Sequence, residues 1–227
     1  MNILFSLCWL GEPWRIDRYT KWLSYHLAIK DSLGFDKIVL LDNASDLNDL
    51  RKLGGTIMDE KGNLIELGNP DILIYRFDVH MPRTGIHEYP YCWRGLEYCK
   101  QLVTSLSINK ILFIDSDFYI LTKKLAQYIK TLDTGWISFW CHKYGWPEAA
   151  LHILCKDTLS TLLNFPIPSF THYNNRNMEE LLPFTKVLKT EFKGDRYGEG
   201  AEPQKDDMDY YGQWGPGCPD MKFEGSA

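Results

Sequence analysis

The feature that most restricts the fold of this chain is a set of short, continuously apolar runs that alternate with helix-like segments. Apolar runs of strand length occupy residues 2–8, 37–42 and 110–114. Segments 14–33 and 92–107 instead carry apolar side chains at spacings of three and four, as amphipathic helices do. Strands that alternate with helices predict a parallel or mostly parallel sheet, and continuous apolar strands predict burial on both faces. The expected class is therefore α/β, with a central sheet flanked by helices.

The remaining segments predict further elements of the same kind. The expected elements are a short helix at 46–53, a hairpin at 56–67, a strand at 72–77, a loop at 79–91, a helix at 122–132, a strand at 136–141 and a strand–helix pair at 149–164. From residue 194 onward the sequence is rich in Gly, Pro and Asp, which predicts a loop or a lid. The sequence shows neither an internal repeat nor an interdomain linker, so we expect a single domain, 1–227.

The net charge and the cysteines indicate which binding partners and which cellular location to expect. The formal net charge is −5, whereas proteins that bind a nucleic-acid backbone usually carry a basic field, so no nucleic-acid partner is expected. The six cysteines form no CxxC pair and lack zinc spacing, which predicts buried free thiols in a cytoplasmic protein. The apolar start lacks a basic flank and stops at Gly11, so it predicts a first strand rather than a signal peptide. No apolar run approaches the roughly 18 residues that a membrane span needs.

The segment ILFIDSDFYIL, residues 111–121, carries the strongest chemical signal. Here an apolar strand ends in Asp115 and Asp117, at the place where open α/β sheets bind their ligands. The strand period of two would point both carboxylates to the same side, where a cation would relieve their repulsion. Hard oxygen ligands suit Mn²⁺ or Mg²⁺, which keep water ligands and bridge substrate phosphates. The motif predicts a divalent metal site; a plain polar turn after a strand is the alternative.

A second apolar strand ends in LLDNAS, residues 40–45, an acid followed by Asn and Ser. Turn chemistry alone can explain that composition. Together with FIDSD, residues 113–117, it resembles the GT-A glycosyltransferases, especially glycosyltransferase family 2. The two segments match that family in residue type, in order and in expected position in the sheet, and the likeness covers residues 2–121.

The resemblance implies a GT-A-like fold. It also implies transfer of a sugar from a nucleotide-diphosphate sugar, most often UDP-linked, to a glycan or another hydroxyl acceptor. In such an enzyme Asp42 and Asn43 would lie at the nucleoside. Asp117 would ligate the metal, and Asp115 would help to hold the ribose or the metal shell.

Two further residues enter the expected site through the same resemblance. Arg94 lies where family members often carry a polar or basic residue facing the nucleotide, and its fork of donors suits a diphosphate; a surface arginine is the alternative. Some GT-A enzymes use a late histidine as a further metal ligand, and His172 is the candidate here. The chain would divide into a nucleotide-binding half, 1–121, an acceptor half, 122–193, and a tail or lid, 194–227.

An inverting transferase also needs a carboxylate that takes the proton of the acceptor. In family 2 an acid near the start of a late helix does this, and Asp206 and Asp207 lie at a comparable distance after the DSD motif. A solvated acidic tail is the alternative, with Glu148 and Asp157 as reserve candidates for the base.

Aromatic residues around the turn KYGWP, 143–147, predict an acceptor surface. Trp140, Tyr144 and Trp146 surround this turn, and sugar rings stack their apolar faces on aromatic side chains. Packing in the core is the alternative explanation for these three residues.

Other functions remain open at this point. A haloacid-dehalogenase-like phosphatase also has a strand followed by DxD, in which the first Asp is a nucleophile. That motif usually opens its domain and continues with Gly or Val and then Thr, whereas Phe118 and Tyr119 follow here. A sugar nucleotidyltransferase normally has a Gly-rich phosphate loop after its first strand, and CWLGEPW is not one. A non-catalytic relative that only binds a glycan is the third possibility, against which the retention of both aspartates argues.

Overall fold

The computed structural model of the chain describes residues 1–84, 89–167, 178–197, 207–213 and 221–225. The strands are β1 Asn2–Cys8, β2 Lys37–Asp42, β3 Gly55–Asp59, β4 Leu64–Glu66, β5 Asn69–Arg76, β6 Lys110–Ile114, β7 Phe118–Ile120, β8 Trp136–Cys141, β9 Trp146–Cys155, β10 Lys186–Leu188, β11 Arg196–Tyr197 and β12 Tyr210–Gln213. The helices are α1 Pro13–Leu33, α2 Leu47–Arg51, α3 Pro90–Ser105, α4 Lys123–Thr131, α5 Leu159–Asn164 and α6 Met178–Leu181, with a 3₁₀ turn, Lys156–Thr158, before α5.

Within the described residues, nine strands form a central sheet in the order β10-β8-β9-β6-β1-β2-β5-β3-β4. β1 runs parallel to β2 and β6, β5 runs parallel to β2 and β3, and β10 runs parallel to β8. β9 runs antiparallel to β6 and β8, and β4 runs antiparallel to β3 as the predicted hairpin. The prediction of a mostly parallel sheet flanked by helices is therefore confirmed.

The central sheet is covered on both faces, as its continuous apolar strands predict. Leu4 and Leu40 enter one apolar cluster, which includes the buried face of α1 and α4. Phe5 and Leu41, the next residues along the same strands, enter a second cluster with α3 and α5. Alternate side chains of a strand point to opposite faces, so one apolar run feeds both layers.

Local chemistry sets the ends of the helices that pack on the sheet. Pro13 occupies the first turn of α1, where its missing N–H leaves no bond unmade, and Gly34 ends the helix with a left-handed φ of 80°. At α4 the Thr122 hydroxyl accepts a hydrogen bond from the Leu125 N–H. Lys110, at the start of β6, donates from Nζ to the carbonyls of residues 129 and 130 at 3.0 and 3.1 Å. A buried cation thus closes the C-terminal end of α4 and joins it to the sheet.

The segment predicted as a loop-rich tail contributes two short strands to a second sheet, ordered β11-β12-β7. Tyr210 and Tyr211 of β12 are buried and lie opposite Ile120 and Tyr119. These cross-strand pairs supply apolar contacts that the Gly-, Pro- and Asp-rich composition does not indicate. Residues 198–206 and 214–220 of the same segment lie outside the described residues.

The sequence predicted free thiols and no membrane span, and the described residues can be compared with both predictions. The free cysteines comprise Cys8, Cys99, Cys141 and Cys155, which are buried, and Cys92, which is partly buried. Cys218 lies outside the described residues. Among the helices of the described residues, none is long and apolar enough to cross a bilayer.

Candidate active site

The carboxyl ends of β1, β2 and β6 meet at one edge of the central sheet. The segments that follow β1 and β2 are tied together there. The Asn43 N–H donates to the Cys8 carbonyl at 2.8 Å, and the Leu10 N–H donates to Ser45 Oγ at 2.8 Å. Because β6 is the other neighbour of β1, the DNAS and DSD motifs lie at the same edge.

Asp115 and Asp117 occupy a tight turn between β6 and β7. The Asp115 N–H donates to the Ala150 carbonyl at 2.9 Å, and the Phe118 N–H donates to the Asp115 carbonyl at 2.9 Å. The sequence predicted that the two acids extend along one strand. The structure instead places them in a turn, because the central strand ends at Ile114 and the second sheet begins at Phe118. The turn still holds the two carboxylates within each other's electrostatic field.

Burial raises the pKa of both carboxyl groups above their usual range. The charge of Asp117 raises the pKa of Asp115 further, whereas the guanidinium of Arg196 lowers the pKa of both. Asp117 Oδ1 is buried and makes no hydrogen bond within the described part of the chain. Two neighbouring carboxylates repel each other, so a positive charge bound at the turn would stabilise their ionised forms.

A hard divalent cation fits this pair of oxygen donors. The described residues contain no group of three or more His, Cys, Asp or Glu side chains that could hold a metal ion. Mg²⁺ and similar ions are commonly held by one or two carboxylates and complete their shell with waters and substrate phosphates. The two acids could therefore serve as the protein ligands of a metal that binds together with a phosphorylated substrate.

A buried ion pair, Glu148–Arg196, lies beside the DSD turn. Glu148 is 1% exposed and stands at the start of β9, close to Ala150, whose carbonyl accepts from Asp115. Arg196 Nε donates to the two carboxylate oxygens of Glu148 at 2.8 and 3.0 Å, and Nη2 donates to Oε2 at 2.8 Å. The Arg196 guanidinium carbon also lies 4.8 Å from the centre of the Phe118 ring. The ion pair thus packs against the ring of Phe118, the residue that follows Asp117.

Among the described residues, more acids than bases act on the turn. Four carboxyl groups act on the pair or belong to it, namely Asp115, Asp117, Glu148 and Glu179. Two guanidinium groups act against them, those of Arg18 and Arg196. With all of these groups ionised, the described part of the region carries excess negative charge, which a divalent cation would offset.

Asp42 is fully buried and serves the turn that follows β2. Its carboxylate accepts hydrogen bonds from the Ser45 N–H and from the Ser45 hydroxyl. Ala44 adopts a left-handed φ of 63°, which turns Ser45 back toward Asp42. Burial raises the pKa of Asp42 to about 6, while Ser45 and the charges of Arg76 and Arg94 lower it. A direct contact of Asp42 with a nucleoside remains a prediction.

Asn43 and Arg94 hold the neighbouring loop. Asn43 Oδ1 accepts from the Met81 N–H at 2.9 Å and from Arg94 Nη2. Arg94 Nη1 donates to the Val79 carbonyl at 2.6 Å, and its guanidinium carbon lies 4.0 Å from the centre of the Phe77 ring. Both side chains lie at the predicted edge, engaged with protein groups; their contact with a nucleotide remains a prediction.

A cluster of aromatic and basic side chains lies beside this turn, and the sequence did not indicate it. The Trp9 ring stacks on His80 with ring centres 4.8 Å apart and planes 27° apart. His80 Nδ1 bonds the Asn43 carbonyl at 3.0 Å. Arg15 lies 4.7 Å from the Trp9 ring centre and 4.6 Å from that of Trp14. The segment after β1 therefore brings a flat aromatic surface to the carboxyl edge of the sheet.

The predicted acceptor aromatics lie at the tip of the β8–β9 hairpin. The rings of Tyr144 and Trp146 stack with centres 5.3 Å apart and planes 14° apart. Tyr144 is 38% exposed. Lys189 Nζ lies 4.1 Å from the centre of the Trp140 ring. Trp146 precedes Glu148 by two residues on one strand, so the stacked pair lies near the acidic site.

The candidates for the catalytic base occupy different places. Asp207 is at the surface, with its side chain 79% exposed and paired with Lys193. Asp157 accepts from the Gly135 N–H at 2.9 Å at the opposite edge of the sheet, where β6 begins. Glu148 lies in the site. Asp206 and the predicted metal ligand His172 lie outside the described residues.

Comparison with known proteins bears on the fold. No protein-family model matches the chain, and no curated protein matches it. Among solved structures, an active-site mutant of LgtC matches with a TM-score of 0.55 at 12% identity, covering 99% of this chain and 92% of that chain. The galactosyltransferase LgtC in complex with donor and acceptor sugar analogs matches with a TM-score of 0.54 at 12% identity, covering 95% of this chain and 88% of that chain. This chain has a GT-A-like fold.

A third match is a glycosyltransferase involved in glycosylation of the major capsid of PBCV-1. Its TM-score is 0.47 at 12% identity, and the match covers 93% of this chain and 91% of that chain. The predicted fold class is thus confirmed by the two LgtC structures. The sequence did not indicate Arg196, Arg18 or Glu179, which act on the two acids in the structure. Arg196 lies 48 residues from its partner Glu148, so no local pattern links the two.

Proposed function

We propose that the chain is a metal-dependent glycosyltransferase that moves a sugar from a nucleotide-diphosphate sugar to a glycan or another hydroxyl acceptor. The observation that carries this proposal is the Asp115–Asp117 turn, which brings two partly buried acids to the carboxyl edge of the sheet in a GT-A-like fold. The LgtC structure with donor and acceptor sugar analogs supports it as a structural neighbour. A cytoplasmic location and the absence of a nucleic-acid partner belong to the same proposal.

The donor site would combine the acidic turn with the edge that follows β1 and β2. Asp115 and Asp117 would hold Mn²⁺ or Mg²⁺, with His172 as a further ligand. A metal bound there would neutralise negative charge that develops on the diphosphate leaving group. Asp42, Asn43 and Arg94 would form the nucleoside end, with UDP as the expected carrier. The stacked Trp9–His80 pair beside them is suited to a planar base.

The acceptor would approach from the side of the β8–β9 hairpin. Tyr144, which is exposed, and Trp146, which is partly buried, offer an aromatic surface near the acids that suits the apolar face of a sugar. Asp206 and Asp207 remain our proposed bases for an inverting reaction. Glu148 is poorly placed for that task, because Arg196 engages both of its oxygens and the pair lies against the metal side of the site.

Binding and turnover test the donor site directly. We expect a nucleoside diphosphate to bind at least about tenfold more tightly with Mn²⁺ or Mg²⁺ than with chelator, a difference of about 1.4 kcal/mol. Asp117→Asn should lose that metal dependence and keep the fold, because the residue lies at the rim of the sheet. Asp31→Asn, at an exposed position of α1, is the matched control and should behave as the wild type. Calorimetry that gives equal affinities in Mn²⁺ and EDTA would contradict the proposal.

Release of nucleoside diphosphate from a panel of nucleotide sugars, measured with Mn²⁺, separates the candidate functions. A transferase releases it from at least one donor, whereas a glycan-binding relative releases none. Hydrolysis of simple phosphomonoesters without a nucleotide would instead indicate the phosphatase. No described feature of the site favours that last outcome over the first.

The base is tested by Asp206→Asn and Asp207→Asn, made separately. Loss of the true base should lower turnover by about 10²–10⁴ while donor affinity stays nearly unchanged. Wild-type turnover in both variants would show that these acids belong to a solvated surface. A product that keeps the anomeric configuration of the donor would remove the need for such a base.

A further inference from the structure

Arg196 reaches the acidic turn through a short, defined path in the second sheet. It pairs with Gly212 of β12, and Gly212 in turn pairs with Phe118 of β7. Phe118 follows Asp117 directly and supplies the ring over which the Arg196 guanidinium lies. The guanidinium is therefore registered on the same turn that carries the two acids.

The contacts of Arg196 leave part of its donor fork available. Nε and Nη2 are both directed at Glu148. Nη1 makes no hydrogen bond to another residue of the described chain. Glu148 is buried, so it fixes the plane of the guanidinium and thereby the direction of Nη1. An arginine whose Nη1 has no hydrogen-bond partner among the described residues can bind a phosphate oxygen while its other nitrogens stay on Glu148.

The positive charge of Arg196 interacts with two further acids besides its partner Glu148. It acts on Asp115 and Asp117 as well as on Glu148. In the absence of ligand it is therefore part of the compensation of the acidic turn. A divalent cation that binds Asp115 and Asp117 would compete with Arg196 for the same negative charge, since like charges repel. An incoming diphosphate would attract both cations at once.

We propose that Arg196 is a diphosphate-binding residue that compensates the acidic turn when no ligand is bound and contacts the diphosphate of a nucleoside-diphosphate ligand when the metal is present. Glu148 is then a positioning residue that acts through Arg196. The inference rests on the proposed function for the identity of the ligand. It adds a requirement for two phosphates, because a nucleoside monophosphate lacks one of the groups that the metal and Arg196 would share.

The test compares Mn²⁺ binding without nucleotide and UDP binding at saturating Mn²⁺. Arg196→Met keeps the apolar stem and removes the charge. We expect it to bind Mn²⁺ alone several-fold more tightly and to bind UDP about tenfold more weakly, the loss typical of one charge-assisted hydrogen bond. UMP affinity should change less than UDP affinity. Mn²⁺ is followed by electron paramagnetic resonance and the nucleotides by calorimetry.

Two further variants separate binding from folding. Arg196→Lys should restore Mn²⁺ affinity toward that of the wild type, because the charge returns, and should recover UDP affinity only in part, because the fork does not. Glu148→Gln should weaken Mn²⁺ binding, the opposite sign to Arg196→Met, because it removes a negative charge. Arg51→Met removes a matched Arg–Glu pair at the surface, Arg51–Glu66, and should change neither affinity.

The outcomes are distinct from those of the proposed function. Opposed changes in Mn²⁺ and UDP affinity support the inference even if no nucleotide sugar is turned over, in which case the transferase activity alone fails. A parallel loss of both affinities in Arg196→Met and Arg196→Lys, or no change in either, would overturn the inference even in an active transferase. Absence of any Mn²⁺ binding by the wild-type chain would overturn it as well.

Discussion

At the residue scale, Asp42 and Ser45 show how single side chains hold the site edge together. The Ser45 hydroxyl donates to Asp42, and Ser45 Oγ accepts from the Leu10 N–H. The segment LLDNAS could be recognised as a turn with an acid from its composition. Its use as a buried tie to the segment after β1 could not, because Leu10 lies 35 residues away in sequence.

Two buried histidines predict how stability responds to acid. His26 Nδ1 bonds the Trp22 carbonyl and His152 Nδ1 bonds the Ala149 carbonyl, each at 2.9 Å. Burial lowers the pKa of each imidazole to about 3. The unfolded chain binds these protons near pH 6.5, so the folded state holds fewer protons between about pH 3 and 6.5. Stability is therefore lost as the pH falls through this window, by up to about 1.4 kcal/mol per pH unit for each histidine.

Urea unfolding at pH 7.5 and 5.5 measures this effect. His26→Leu and His152→Leu should each lose less stability than the wild type on going to pH 5.5, by roughly 1.4 kcal/mol per histidine. The comparison is between pH values, so the cost of the substitution itself cancels. A variant with the pH dependence of the wild type would show that its histidine does not titrate as the burial requires.

At the element scale, the second sheet is what carries Arg196 and the DSD turn into one place. Gly212, the middle position of this sheet, lies against the Phe118 ring, and a Cβ atom there would come within 2.5 Å of it. The close approach of the strand to the ring depends on the missing side chain. The glycine is thus required by packing rather than by backbone dihedrals.

We predict that Gly212→Ala costs about 1–3 kcal/mol of stability and weakens nucleotide binding, because Phe118 must move and Arg196 lies over its ring. Phe118→Leu makes room at the same contact. The double variant should therefore be more stable than the sum of the two single changes predicts. Additive losses in thermal unfolding would show that the two residues do not share this contact.

The tip of the β8–β9 hairpin carries a prediction about the acceptor. Tyr144→Ala and Trp146→Ala should each raise the KM for a glycan acceptor while donor hydrolysis without acceptor stays unchanged, because the rings lie beside the acids and not in the turn. Tyr144→Phe keeps the ring and should retain acceptor affinity. Initial-rate kinetics over a series of acceptor concentrations give the answer. A rise in donor KM instead would place the aromatic pair at the donor.

At the scale of the whole molecule, the central sheet separates two apolar clusters that share every central strand. Leu40 and Leu41 are adjacent in β2 and are buried in different clusters. Helices α1 and α4 cover one cluster, and helices α3 and α5 cover the other. Because a strand cannot lose one face without exposing the other, we expect the described core to unfold as one unit.

Leu40→Ala and Leu41→Ala test that expectation as a matched pair. Each should cost about 2–5 kcal/mol, the usual range for removing a buried leucine side chain. Far-ultraviolet circular dichroism and tryptophan fluorescence should report the same shifted transition in both variants. A second transition seen by only one probe would show that the two layers unfold separately.

Much of the fold followed from local pattern. The apolar runs 2–8, 37–42 and 110–114 become the central strands β1, β2 and β6, and the hairpin at 56–67 becomes β3 and β4. Such strands are visible in sequence because burial on both faces leaves few polar positions in them. The short strands β11 and β12 were not visible, because their stability comes from partners far along the chain.

The sequence by itself determined the α/β class, the mostly parallel sheet and the placement of acids at the ends of β2 and β6. Those properties depend on residue type and spacing within single elements, and the physical chemistry of apolar periodicity and turns is local. Tertiary structure alone decided that Asp42 is buried and hydrogen-bonded to Ser45. It also decided that the DSD acids lie in a turn rather than along a strand, and that Arg196 pairs with Glu148. These depend on contacts between residues tens of positions apart, whose burial and charge exist only once the chain has closed around them.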